Sequence, residues 1–140
     1  IMVDQNCAYC VEGDLVAKFG IKICELETSK VYLFKEQSHP GRCIVAHKKH
    51  VGDMNELTAE ERAAYFEDVA RVARAIMKAF NPDKVNYGAY GDTGHHLHFH
   101  LCPKYKDEFE WGGVFLMNPD KKYLTDAEYA EMIEKIKANM

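Results

Sequence analysis

His95-His96-Leu97-His98-Phe99-His100-Leu101-Cys102-Pro103 holds four of the seven histidines in the chain. Successive side chains of an extended strand point to opposite faces, so His96, His98 and His100 share one face and Leu97, Phe99 and Leu101 the other. The apolar row pins the strand to a core. The opposite row is then three imidazoles, roughly 6–7 Å apart, held at fixed positions. Imidazole serves as nucleophile, acid, base or metal ligand near neutral pH. A row of buried imidazoles without partners would be costly to desolvate, so the stretch reads as a site rather than as packing. Two chemistries fit it. The row could ligate a catalytic metal, or the middle ring could be a nucleophile whose neighbours hold a phosphate and its leaving group.

Working outward, residues 84–90 read as a second strand, joined to the histidine strand by the glycine-rich turn Gly88-Ala89-Tyr90-Gly91-Asp92-Thr93-Gly94. That turn leads into a strand and not a helix, which excludes a dinucleotide-fold fingerprint. Upstream, Thr58-Ala59-Glu60-Glu61 forms a capping box. Phe66, Val69, Ala70, Ala73, Ile76, Met77 and Phe80 then recur at helical spacing until Asn81-Pro82-Asp83. A second capping box, Thr125-Asp126-Ala127-Glu128, opens a C-terminal helix with Tyr129, Met132, Ile133 and Ile136 on one side. Residues 13–18, 20–27 and 30–35 read as a strand meander, and 42–47 as a further strand after the Ser38-His39-Pro40-Gly41 turn. The pattern is α+β with a mostly antiparallel sheet.

Bulk properties narrow the function. A chain of 140 residues, 47% hydrophobic and 29% charged, fits one globular domain. A net charge of −4 gives no basic field for a nucleic-acid polymer. No stretch reads as a signal peptide or reaches transmembrane length, so no membrane partner is expected. Five cysteines, an odd number, argue against a disulfide framework and for a reducing, cytoplasmic setting.

His96-Leu97-His98-Phe99-His100-Leu101-Cys102 resembles the histidine triad (HIT) pattern at every position. Gly41-Arg42-Cys43-Ile44-Val45-Ala46-His47-Lys48-Lys49-His50 is similar to the family's strand and following turn. Val85-Asn86-Tyr87-Gly88 is similar to its asparagine-bearing strand, and the order of the blocks is the same. The resemblance spans residues 7 to about 104 and implies a HIT-like fold. In that fold a mostly antiparallel sheet packs against one long helix, here followed by a C-terminal helix. Residues 1–140 would be a single such domain, with 104–140 a C-terminal extension.

The resemblance also implies a function: hydrolysis at the substituted α-phosphate of a nucleotide, by a usually dimeric protein. The partner would be an AMP derivative such as a phosphoramidate, a dinucleoside polyphosphate or another adenylylated compound. His98 would be the nucleophile and His100 a donor to a phosphoryl oxygen or the leaving group. Asn86 and Thr93 would bind phosphate. Where related transferases carry glutamine, this chain has His100, which by analogy favours hydrolysis over transfer. Glu36 would hold the ribose hydroxyls. Arg42 stands where many members carry a fourth histidine, and a guanidinium there could grip phosphate bidentately.

Cys7-Ala8-Tyr9-Cys10 is a C-x-x-C without the strand–helix context of a redox motif. By resemblance, Cys7, Cys10, His50 and His96 would hold a structural zinc, with no catalytic metal required. His39 and His47 are expected at the surface, and His95 is expected to point away from the triad face. The rival readings are a metal-dependent hydrolase using the H-x-H-x-H row as ligands and a non-catalytic nucleotide-binding module.

Overall fold

The structure is a computed structural model describing residues 4–140. Two short helices, α1 (Ala8–Val11) and α2 (Gly13–Ala17), precede the strands β1 (Gly20–Glu25), β2 (Ser29–Phe34) and β3 (Cys43–His47). A one-turn 3₁₀ helix (Met54–Glu56) leads into α3 (Ala59–Phe80), followed by β4 (Lys84–Gly88), β5 (His98–Lys104) and α4 (Asp126–Ala138). The five strands form one antiparallel sheet in the order β1-β2-β3-β5-β4. Among the described residues no helix is long and apolar enough to cross a membrane.

Residues 13–18 are helical rather than the first strand of a meander. Leu15-Val16-Ala17 is too short an apolar run for its period to discriminate. Glu12 and Gly13, both at φ 57°, turn the chain immediately before it. Only Val16 of α2 is buried.

Alternation along the strands separates two layers. Val31, Leu33, Cys43, Val45, Phe99 and Leu101 face α3 and α4 and make the larger apolar cluster. Tyr32, Phe34, Ile44 and Ala46 point the other way, toward α1 and the histidine row. Both capping boxes form, at Thr58–Glu61 and Thr125–Glu128. The buried stripe of α3 runs through Tyr65, Val69, Val72, Ile76 and Ala79, while Phe66 and Met77 lie on its exposed rim. This stripe is displaced from the expected one. Tyr65 is drawn inside because its hydroxyl donates to the Val45 carbonyl at 2.8 Å. Tyr129 and Ile136 fasten α4 to the same core.

Candidate active site

β5 sits between β3 and β4, with His100 opposite Ile44 and His98 opposite Ala46. This central position fixes the histidine backbones on both sides. Leu97, Phe99 and Leu101 anchor the strand from the α3 side. The opposite face opens into a cavity of about 870 Å³ lined by His96, His98 and His100. Tyr9, Phe34 and Phe115 contribute apolar wall, and Thr93 lies at its exposed mouth.

The three rings are oriented by three different partners. His96 turns Nδ1 toward Cys7 Sγ at 3.3 Å and His50 Nδ1 at 3.2 Å. Its Nε2 lies 2.6 Å from the His47 carbonyl, an acceptor only, so that nitrogen carries the proton. His98 Nδ1 lies 2.6 Å from the His96 carbonyl and must donate, which leaves Nε2 unprotonated. At His100 the pattern inverts. Arg42 Nη2 donates to His100 Nδ1 at 3.1 Å, so Nε2 holds the proton. The His98 and His100 ring centroids are 5.3 Å apart. The site thus sets an unprotonated nitrogen beside a protonated one.

Desolvation keeps all three rings neutral. Burial lowers the His98 pKa despite its hydrogen bond to the His96 carbonyl. Burial, then the Arg42 cation and His98, bring His100 down to about 2. Burial, opposed by the bond to His47, leaves His96 at about 4. A neutral imidazole is the form that acts as nucleophile or ligand.

Cys7, Cys10, His50 and His96 bring one ligand atom each to within 4.8 Å of one another. Cys10 Sγ lies 3.3 Å from His50 Nδ1 and 3.6 Å from His96 Nδ1. Tetrahedral zinc, with bonds of roughly 2.0–2.3 Å, separates its ligand atoms by roughly 3.3–3.8 Å. The donor set and its spacing fit such an ion. The His47 carbonyl holds the His96 ring from behind, as an outer partner does in metal sites. A catalytic metal shared by the whole triad fits poorly, because His98 Nδ1 is taken by a carbonyl and a buried guanidinium abuts His100.

Several expected roles change. Arg42 is fully buried, and its Nη1 and Nη2 groups donate to Leu116 O at 3.1 Å, Met117 O at 2.8 Å and His100 within the chain, so its terminal fork is not presented to a phosphate. Glu36 does not line the cavity. Its carboxylate accepts from the Ser38 hydroxyl and N–H and from the Lys121 and Lys122 N–H groups. Burial alone would raise its pKa, but those bonds hold it below the usual carboxylate range. His39 and His47 are buried rather than at the surface: His39 pairs with Glu110 at 2.7 Å, and His47 packs edge-on against Tyr65. His95, expected to point away from the triad face, is exposed and contributes to the lining of the same cavity. Asn86 lies opposite Cys102, on the triad face but beyond His100. There it lines a separate cavity of about 260 Å³ with Lys104 and Trp111.

Three contributors escape the sequence pattern. Tyr9, between the two cysteines, places its ring 5.0 Å from His98 and 5.3 Å from His96. Its position inside C-x-x-C was the available signal. Phe115 and Met117 come from the irregular strap 105–125, which has no period to read. Gly88, opposite His100, admits that strap: a Cβ there would lie 2.8 Å from the Phe115 ring.

Residues 20–107 match the HIT domain. Protein hit of Bacillus subtilis is 29% identical over 123 residues, covering 83% of either chain. Adenosine 5'-monophosphoramidase hnt1 of Schizosaccharomyces pombe is 28% identical over 117 residues, covering 77% of this chain and 81% of its own. Bis(5'-adenosyl)-triphosphatase of Dictyostelium discoideum is 29% identical over 98 residues, 66% of this chain and 65% of its own. Among solved structures, a histidine triad protein of Sinorhizobium meliloti superposes with a TM-score of 0.83 at 22% identity, covering 91% of this chain and 95% of that one. A Zn-bound histidine triad family protein of Mycobacterium smegmatis superposes at 0.69 and 22% identity, covering 96% and 93%.

Proposed function

The chain belongs to the HIT family, and from that premise we propose that it hydrolyses a nucleotide at a substituted α-phosphate through a nucleotidyl intermediate on His98. The complementary protonation of His98 and His100 carries this reading. His98 Nε2 offers its lone pair to the α-phosphorus. As the N–P bond forms, the bond to the leaving group breaks and its electron pair departs with that group. His100 Nε2–H donates a hydrogen bond to a phosphoryl oxygen or to the leaving group, where charge builds up. Water then attacks phosphorus, releases the nucleotide and returns His98 to its starting form. The Thr93 hydroxyl, at the cavity mouth, adds a phosphate contact. Relatives named as a monophosphoramidase and a bis(5'-adenosyl)-triphosphatase support AMP derivatives as the substrate class.

The test is His98→Ala assayed on an adenosine phosphoramidate, with mass spectrometry of wild-type protein quenched during turnover. A nucleotidyl adduct on His98 and loss of turnover in a folded variant are expected. Wild-type rates in His98→Ala end the assignment, as does an adduct elsewhere.

Zinc is the ion we assign to Cys7, Cys10, His50 and His96. Their ligand spacing and the Zn-bound relative support it. Bound there, zinc would crosslink the N-terminal knuckle that carries Cys7 and Cys10 to His50 and to His96, just before β5. Tyr9, carried on that knuckle, would be held against His98. Metal analysis of purified protein should find about one zinc per chain; metal-free protein with intact thiols contradicts the assignment.

A further inference from the structure

Arg42 is the bulkiest fully buried side chain in the described protein, and its Nε is the one buried side-chain nitrogen or oxygen there without a hydrogen-bond partner. Its bonds reach neutral acceptors only: the Leu116 and Met117 carbonyls, the Met117 sulfur and His100 Nδ1. Phe34 and Phe115 sandwich the guanidinium, with Cζ 4.1 Å and 4.9 Å from their ring centroids. Burying a cation this way is expensive, and a hydrophobic side chain of similar volume would avoid the expense. What it could not do is hold a ring nitrogen and two carbonyls at once, which takes a planar fork of donors.

Those two carbonyls belong to the strap 105–125, whose Phe115, Leu116 and Met117 form cavity wall. Elsewhere the strap is tied by Lys104, which donates to Glu110 O and Gly113 O, and by the His39–Glu110 pair. Phe115 of the strap packs against the His100 ring, with centroids 6.4 Å apart, and among the described residues only Arg42 hydrogen-bonds both the strap and a triad ring.

We propose that Arg42 is a positioning residue that sets His100 in its Nε2–H form and couples that setting to docking of the strap. The donor to the phosphate is then in place only when residues 115–117 close the cavity wall. The catalytic half of this inference rests on the hydrolase reading above; the tautomer and the strap do not.

The experiment uses full-length protein with ¹⁵N-labelled histidine, as wild type, Arg42→Met and Arg42→His, each checked for folding. Ring-nitrogen spectra give the His100 tautomer without substrate. Acrylamide quenching of Trp111, the single tryptophan, reports strap docking. Wild-type His100 should show bare Nδ1 and protonated Nε2. Arg42→Met should average the two tautomers and raise Trp111 quenching. Its kcat should fall about 100-fold, in the range for losing one oriented donor, while KM changes less than about threefold. Arg42→His, which restores an N–H donor, should recover the tautomer at least in part.

A protonated Nδ1 on wild-type His100 overturns the proposal without any variant. So does an unchanged tautomer, unchanged quenching or unchanged kcat in folded Arg42→Met. If Arg42→Met does not fold, the wild-type spectrum and Arg42→His decide. Loss of the nucleophile assignment through His98→Ala would leave the nitrogen spectra and quenching readable, so the two failures are separable.

Discussion

The two faces of the sheet are built on different physics. Toward α3 and α4, Val31, Leu33, Val45, Val72, Ile76 and Leu101 exclude water by contact area alone. Toward the strap, His98 and His100 on β5, with Arg42 and His96 just before β3 and β5, are held by individual donors and acceptors. Area is non-directional and tolerates repacking, whereas a tautomer depends on one named atom. The first face therefore sets how stable the protein is. The second sets what it does.

That division can be broken most sharply at two positions of one strand, Leu101 and His98. Leu101 is fully buried on the helical face. Leu101→Ala should lower unfolding free energy by about 2–5 kcal/mol in denaturant titration, with kcat of the folded fraction unchanged. His98→Ala should do the reverse. If Leu101→Ala lost kcat as heavily, the faces would not be separable.

A subtler effect concerns acid. His100 is held neutral in the folded protein but titrates normally once unfolded, so the unfolded chain binds the extra proton. Its stabilising contribution is therefore complete above pH 6.5, the ordinary histidine value, and is lost as pH falls toward 2. Between those limits the loss is about 1.4 kcal/mol per pH unit. Unfolding free energies of wild type and His100→Asn, followed from pH 7 to 4, should diverge by that slope. Parallel curves would place the acid sensitivity elsewhere.

The smallest expected change comes at Glu36, which anchors the end of the strap through Lys121 and Lys122. Glu36→Gln should cost about 1–3 kcal/mol and speed proteolysis within the strap, leaving the His100 ring in place. Loss of turnover equal to that of Arg42→Met would show that any strap contact, and not Arg42 in particular, orients the donor.

Much of this was legible beforehand, because it follows from local periodicity and capping. The α+β class, the long helix, both capping boxes and the sharing of one face by three histidines are properties of short windows. The grouping of Cys7, Cys10, His50 and His96 was legible only through likeness to a family, since nothing local joins residue 7 to residue 96. The readings of Glu36, Arg42, His39 and His47 failed for a common reason. A polar side chain in isolation looks solvated or ligand-seeking, and only the fold reveals whether the chain itself supplies its partner.

The sequence by itself determined that β5 presents an imidazole row to one side and an apolar row to the other, because side-chain alternation is fixed by strand geometry. Tertiary structure alone decided which nitrogen of each ring carries the proton. That choice belongs to the His47 carbonyl, the His96 carbonyl and Arg42. The first and last of these lie about fifty residues or more from the ring they orient. Hydrogen bonds across such separations exist only once the chain has folded.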